Sequence, residues 1–327
     1  MSTVLVVLEH DRGSLADASL EALTAGRGLA GQLGVGMAAV ALGGSAAMAG
    51  VAGSYGAATI HVVDHEFLAD YGPEAWGESL AQLVQFLQPA AVIATGTDRG
   101  NEVMAQAAAR LDLPMVANVL EARPSSMAGS LWALTRVRWG GSLLESTSLT
   151  SATPMLTFSH HAVIAEPIAA PGLAGVETFV PSLDAAHART NVRDRVERPA
   201  GVTLATARII VSGGRGVGSA ENFAPLTELA TTVGGVVGCS RAVTNNGWRP
   251  HSDQVGQTGT RVAPDLYIAC GISGAIQHWV GAMASKKVLA INTDPEANMV
   301  TKADYAVIGD LHKVVPAVTA EILRRRG

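Results

Sequence analysis

The sequence has little cysteine and no basic run, and each shortage argues against a class of protein. Only two cysteines, Cys239 and Cys270, occur in 327 residues, far apart and without histidines at zinc-ligand spacing. We therefore expect neither a zinc site nor a disulfide framework, and such scarcity is typical of a reducing compartment. The formal net charge is only -5 and no Lys/Arg run stands out, so we expect no nucleic-acid partner.

The sequence also lacks a long apolar run. Met1–Thr3 lead directly into the apolar run Val4–Leu8, without the basic residues that begin a signal peptide. This run is far too short to span a membrane. We therefore expect a cytoplasmic protein with no signal or transit peptide and no membrane insertion.

Small and aliphatic residues are abundant instead. Apolar residues make up 48 % of the chain, aromatic residues only 4 %, and there are 36 glycines. Small residues let helices pack closely on a parallel sheet, so this composition favours α/β layers. The length of the chain favours about two domains.

The first part of the chain alternates short apolar runs with helical patterns. This alternation predicts βαβ units and a mostly parallel sheet. The predicted strands are Val4–Leu8, Met37–Leu42, Ile60–Val63 and Ala91–Ala94, and the predicted helices cover residues 17–33, Trp76–Leu87 and a stretch from the N-cap Thr97 to Leu111. Three further strands, with no long helix between them, are expected to pair antiparallel: Val116–Leu120, Leu131–Val137 and Met155–Phe158.

A charged segment over residues 184–201, ending in Pro199, has the composition of an exposed connector. After it, βα alternation begins again and continues to the end of the chain. We therefore predict two domains: an N-terminal mostly parallel αβα sheet domain at 1–185 and a C-terminal Rossmann-like (doubly wound) domain at 206–327. Residues 186–205 would link them.

Polar or glycine-rich turns follow nearly every predicted strand of the second domain. They are the turns at Gly213–Gly216, Ser240-Arg241, Gly271–Gly274, Asn292 to Asp294, and Asp310. In a parallel sheet these turns lie at one edge, where glycine and helix N-termini admit phosphates. The pattern predicts a nucleotide or dinucleotide site, although Gly214–Ser219 matches only half of the dinucleotide fingerprint.

Two other constellations carry less weight. His160 and His161 could suggest a metal ligand pair or a base, but they follow an apolar strand and lack a carboxylate partner nearby in the sequence, so a loop role is expected for them. Ser240 and His278 could be cast as nucleophile and base, but no G-x-S-x-G turn surrounds the serine and no orienting acid is evident. We therefore find no convincing hydrolase.

A long, ordered series of segments resembles the α subunit of electron transfer flavoproteins. The matching segments are Gly213–Gly216 with Ser219–Phe223 (GGRG…ENF), Ser240–Ala242 (SRA), Gln254–Gly259 (QVGQTG), Leu266–His278 (LYIAxGISGAIQH), Ala290–Ala297 (AINxDPEA), Ala303–Tyr305 and Gly309–Leu311. The first domain matches more loosely, through Val4–His10 and Thr97–Gly100.

This resemblance implies an αβ heterodimer with FAD bound mainly in the C-terminal domain. The chain would be an electron carrier, not an enzyme with its own substrate. It would accept electrons from flavin dehydrogenases and pass them to a quinone reductase or another acceptor. The donor, the acceptor, a bifurcating or simple role, and the nucleotide of the β subunit (AMP or a second FAD) stay open.

The resemblance also implies FAD-contacting residues. Arg215 would meet the pyrophosphate or the flavin, Arg241 would stabilise a reduced anionic flavin, and Thr258 would lie near flavin N5. His278 would donate to the pyrimidine carbonyl. The complete implied set is Arg215, Ser240, Arg241, Gln257, Thr258, Gly259, Gly271, Ile272, Ser273, Gln277, His278, Asn292, Asp310 and Leu311.

The sequence departs from the family pattern at several positions. Thr260 stands where lysine is usual, Cys239 replaces a small residue, and Asn298–Val300 replace Pro-Ile-Phe.

Two alternative functions stay open. One alternative is an NAD-dependent dehydrogenase, which needs a clean fingerprint and a ribose-binding acid about 20 residues further on. The other is a non-redox nucleotide-binding protein with the same fold.

Overall fold

The structure is a computed structural model that describes residues 2–125, 131–139, 143–193 and 202–326. Its internal contacts divide the chain into two compact units. The first unit contains the described residues up to 193, and the second contains residues 202–326. No helix of the described residues is both long enough and apolar enough to cross a membrane.

The first unit consists of a large sheet with helices on both faces. Its strands are β1 Thr3–Val7, β2 His10–Asp11, β3 Ser14–Leu15, β4 Gly36–Leu42, β5 Thr59–Val63, β6 Ala91–Thr95, β7 Met115–Pro124, β8 Leu131–Arg138, β9 Leu143–Thr150, β10 Met155–Phe158 and β11 Gly175–Phe179. Its helices are α1 Ala18–Leu33, α2 Ala49–Ser54, α3 Pro73–Leu87 and α4 Asp98–Leu111.

The nine-stranded sheet has the order β11-β5-β4-β1-β6-β10-β7-β8-β9. β7 and β8 pair antiparallel, as expected for the stretch that lacks long helices, and β9, which was not predicted, pairs antiparallel with β8. The expectation was wrong for β10, which pairs parallel with β6 and β7. All four β10 side chains are buried, and a strand buried on both faces suits a central position in a parallel sheet.

Sequence patterns locate the first-unit helices because their ends carry clear signals. Thr97 caps α4 by accepting a hydrogen bond from Gly100 N at 2.9 Å. Pro73 begins α3. α1 ends at Gly34, whose left-handed φ of 66° suits glycine. Within α1, Gly26 lies against Val6 of β1, so the helix packs directly on the sheet.

The second unit is a five-stranded parallel sheet with helices around it. Its strands are β12 Ile209–Gly213, β13 Val236–Cys239, β14 Leu266–Cys270, β15 Val288–Asn292 and β16 Tyr305–Ile308. Its helices are α5 Ala224–Val233, α6 Arg241–Asn245, α7 Ile276–Ala282, α8 Asn298–Lys302 and α9 Leu311–Arg326.

The strand order of this sheet is β13-β12-β14-β15-β16, and every pairing is parallel. The chain moves from β12 to one side at β13 and then to the other side at β14. The order therefore reverses between β12 and β14, and the crevice at their carboxyl ends is the topological switch point of a doubly wound fold. The predicted Rossmann-like topology is confirmed.

Candidate functional site

The turns after β12 and β14 meet at the switch point. Gly214 N donates to Cys270 O at 2.8 Å, and Gly216 N donates to Gly271 O at 3.1 Å. A Cβ added to Gly214 would lie 2.2 Å from Gly271 O, so no larger residue fits there. Gly271 itself has a left-handed φ of 62°. Glycine thus allows two backbones to approach closely where a ligand would lie.

A cavity of about 430 Å³ opens at this switch point. Its walls come from the turn after β12, the start of α6 after β13, and the segment from β14 into α7. Eight of the predicted site residues line it: Arg215, Ser240, Arg241, Gly271, Ile272, Ser273, Gln277 and His278. Ala242, Asn245 and Ala275 also line it and were not predicted.

A second cavity of about 240 Å³ shares Gly271 and Ser273 with the first. It lies at the ends of β14, β15 and β16, and it includes the predicted residues Asn292, Asp310 and Leu311. Because the two cavities share a wall, a long ligand could follow the carboxyl edge of the sheet from one into the other. Residues not predicted here include Thr293, Asp294 and Ala297.

The two cavities differ in charge. Among the described residues that line the first cavity, two carry guanidinium groups, Arg215 and Arg241, and none carries a carboxylate. The described lining of the second cavity includes Asp294 and Asp310 but no basic side chain. An anionic group such as a pyrophosphate or a reduced flavin therefore suits the first cavity, and hydroxyl-rich ribose suits the acceptors of the second.

Local hydrogen bonds hold the polar walls in place. Ser240 is the buried N-cap of α6, and its N–H donates to Gly213 O at 3.0 Å. Asn292 Nδ2 donates to Ile272 O at 3.0 Å. Asp310 Oδ1 accepts from His312 N at 2.9 Å at the start of α9. Each turn is thus tied to a neighbouring strand or to its own helix.

His278 is 6 % exposed and contacts Tyr267, which has no exposed surface. The Tyr267 hydroxyl lies 2.8 Å from His278 Nε2, and Nδ1 is buried without a hydrogen-bond partner among the described residues. Burial lowers the pKa of His278 to about 4, and the Val255 carbonyl opposes this effect. The imidazole is therefore neutral at physiological pH, with one nitrogen held by tyrosine.

Three predicted residues, Gln257, Thr258 and Gly259, line neither cavity. Their loop is nevertheless tied to the first cavity, because Gln257 N donates to Gln277 O at 2.7 Å. Gln254, which is 2 % exposed, donates from Nε2 to Thr258 Oγ1 at 2.9 Å. Sequence reasoning did not single out Gln254 or Tyr267, although both lie within the segments that carry the family resemblance.

The interpretation of the histidine pair in the first unit needs correction. His161 has a carboxylate partner in Glu21 of α1. The distance between Glu21 Oε1 and His161 Nδ1 is 3.1 Å. Glu21 is also 3.7 Å from His160 Nε2. The two imidazole rings stack at 3.6 Å. The partner was missed because the fold, not the sequence, brings α1 to the end of β10.

The two cysteines are free and fully buried. Burial raises the pKa of Cys239 and of Cys270 to about 12. Both thiols are therefore protonated and packed as small apolar groups.

The switch-point crevice and its paired cavities define a doubly wound α/β protein suited to a dinucleotide. The family described as "Electron transfer flavoprotein FAD-binding domain" matches residues 203–283, and "Electron transfer flavoprotein domain" matches residues 4–184. Proteins named electron transfer flavoprotein subunit alpha are similar over the full chain. The one from Mycobacterium tuberculosis is 38 % identical with 100 % of both chains covered. The one from Bacillus subtilis is 35 % identical over 97 % of this chain and 96 % of its own.

"Protein FixB" of Rhizobium meliloti is 34 % identical over 98 % of this chain and 93 % of its own. The chain belongs to the electron transfer flavoprotein α subunit family. Its cofactor is FAD and its role is electron transfer, so the dehydrogenase and non-redox alternatives are not favoured. As an α subunit it has a β subunit as partner, and the family consists of electron carriers.

Proposed function

We propose that FAD lies along the two switch-point cavities, with its isoalloxazine ring in the first and its adenosine half in the second. The main support for this placement is that eleven residues implied by the family resemblance line two cavities that share a wall. The charges support this orientation, because Arg215 and Arg241 are both in the first cavity.

FAD supplies reversible one- and two-electron transfer when bound. Around it, Arg241 provides a fixed positive charge that stabilises negative charge on the ring. His278 lines the first cavity as a neutral hydrogen-bonding group in a desolvated site. Asn292 and Asp310 bind the adenosine end, while Gly214 and Gly271 let the turns after β12 and β14 pack closely together beside the cofactor.

The loop residues Gln257, Thr258 and Gly259 complete the flavin site in this proposal. Their support is the backbone bond from Gln257 to Gln277 and the bond from Gln254 to Thr258, which hold the loop beside the first cavity. Thr258 then offers a hydroxyl near flavin N5, where a donor tunes the affinity of the ring for electrons and protons.

We further propose that residues 1–185 contact the β subunit and that residues 186–205 connect the two domains. The described start of this connector bonds within the first unit, because Thr190 Oγ1 donates to Glu74 at 2.9 Å. Residues 194–201 lie outside the described part of the chain.

Flavin dehydrogenases would donate electrons, a quinone reductase or another acceptor would receive them, and we expect no substrate turnover by the chain itself. Full electron transfer after the two domains are crosslinked would contradict a hinge in the connector.

The decisive experiment is to purify the αβ complex and to identify the nucleotides that it releases on denaturation. We expect FAD, together with whatever nucleotide the β subunit holds. Replacing Arg241 with alanine removes the proposed charge and should lower the two-electron midpoint potential of the flavin, by about 30 mV for each 1.4 kcal/mol of stabilisation lost. Arg208→Ala is the matched control, since Arg208 pairs with Asp265 away from both cavities.

A complex that stays colourless after FAD and the β subunit are added would contradict the proposed function. A flavin-loaded complex in which Arg241→Ala and Arg208→Ala have equal potentials would contradict only the placement of the ring.

A further inference from the structure

Glu21, His160 and His161 form a compact cluster in the first unit, whereas the residues that line the two proposed FAD cavities belong to the second. Glu21 lies in the first turn of α1, and the two histidines follow the end of β10. One ligand atom from each residue can be chosen so that all three lie within 4.8 Å of one another. We propose that this cluster binds a divalent cation of the Zn²⁺ class.

The carboxylate is already oriented for this role. Glu21 Oε2 accepts a hydrogen bond from the backbone N–H of His161 at 2.7 Å. Its other oxygen, Oε1, therefore faces both rings, 3.1 Å from His161 Nδ1 and 3.7 Å from His160 Nε2. Small movements of the side chains would place the three atoms around one ion at the usual bond length of about 2.1 Å.

The surroundings of the His161 ring support a built site. The ring is desolvated, because its Nε2 is buried without a hydrogen-bond partner among the described residues. The backbone of His161 has a φ of 64°, in the left-handed region that histidine adopts more readily than most residues other than glycine.

The donor set selects the class of metal. Two imidazoles and one carboxylate suit Zn²⁺ and similar transition ions, whereas Mg²⁺ and Ca²⁺ prefer oxygen ligands alone. The side chains of Glu21, His161 and His160 are 13 %, 16 % and 23 % exposed, so an ion can enter and keep an open position for water. The bound ion would clamp the segment after β10 to α1.

The test is calorimetric titration of the chelator-treated full-length chain with Zn²⁺, and with Mg²⁺ for comparison. We expect one saturable Zn²⁺ site per chain and no matching Mg²⁺ site. Glu21→Gln and His161→Gln should each weaken Zn²⁺ binding by at least about tenfold. His251→Gln is the control, because His251 is an exposed histidine of the second unit, and it should leave binding unchanged.

Glutamine at position 21 keeps an oxygen that can accept the His161 N–H, so this variant is expected to fold. If Glu21→Gln does not fold, His160→Gln gives a second test. Thermal unfolding without metal checks that each of these variants is folded. A chain that shows no saturable Zn²⁺ site would overturn the proposal. So would binding that is equally strong in the wild type, Glu21→Gln and His160→Gln.

Discussion

At the scale of single residues, the most consequential contact of the second unit lies behind the cavity wall. Tyr267 bonds to His278 Nε2 but does not itself line the first cavity. A hydrogen bond to one imidazole nitrogen selects the tautomer of the ring, and it thereby determines whether the other nitrogen donates or accepts a hydrogen bond. Tyr267 is thus a positioning residue for His278.

Replacing Tyr267 with phenylalanine leaves His278 Nε2 buried without its partner. We expect the free energy of unfolding to fall by about 1–3 kcal/mol. We also expect the flavin potential of the αβ complex to shift, because His278 is then free to reorient. Tyr305→Phe, an exposed tyrosine of the same unit, is the control. Equal potentials in Tyr267→Phe and the wild type would show that the tyrosine has no positioning role.

The pH response of His278 is a second residue-scale prediction. Its pKa is 6.5 in an ordinary setting and about 4 in the folded chain, because it is buried. Between these values the unfolded state holds more protons, so acid favours unfolding. The contribution of His278 to the free energy of unfolding is therefore fully present above about pH 6.5, and it falls by about 1.4 kcal/mol per pH unit down to pH 4.

An NMR titration of the histidine ring protons checks this prediction. The His278 resonance, identified by its loss in His278→Gln, should not move until the pH approaches 4. Global unfolding cannot isolate the effect, because burial also lowers the pKa of His10 and of His61. A His278 resonance that titrates near pH 6.5 would contradict the buried, neutral imidazole.

At the scale of elements, α1 offers a matched pair of glycines. A Cβ at Gly26 would lie 2.5 Å from Val6 Cγ2, whereas a Cβ at Gly28 would meet nothing within 4 Å. Gly26→Ala should lower the free energy of unfolding by about 1–3 kcal/mol through overpacking. Gly28→Ala should raise it by about 0.4–1 kcal/mol, because it restricts the unfolded chain. Denaturant titration of both variants checks the sign, and stabilisation by Gly26→Ala would contradict the packing of α1 on β1.

Long elements with a one-sided apolar pattern could be predicted, and short or exposed ones could not. α1, α3 and α4 were predicted because their periodicity extends over several turns. α6 and α8 have five residues each, too few for a period to show. β11 is mostly exposed, so its sequence shows no alternation between a buried and an exposed face. β9 has only one buried residue and was missed for the same reason.

At the scale of the whole molecule, FAD should protect only the second unit. Hydrogen exchange of the αβ complex with and without FAD should show slower exchange at the turns after β12 to β16. The mechanism is mass action, since a ligand that binds only the native state suppresses opening, by about 2.7 kcal/mol at 100 times its Kd. Protection concentrated in the first unit would place the cofactor elsewhere.

The site was partly predictable for a topological reason. Glycine and polar residues directly after apolar β runs could be placed at one edge, because parallel strands all end on the same side. Gly214, Ser240 and Asn292 belong to this group. The role of Tyr267 was hidden because its hydroxyl meets a helix that follows the strand, and no local pattern reveals that contact.

By itself, the sequence determined the class of fold, the family and FAD as the cofactor, because these depend on local periodicity and on ordered motifs. Only the tertiary structure decided that β10 lies between β6 and β7, that two cavities share Gly271, and that Glu21 meets His160 and His161. These facts depend on contacts between segments far apart in the chain. Such contacts arise from burial of apolar surface, which depends on the whole fold and not on any one segment.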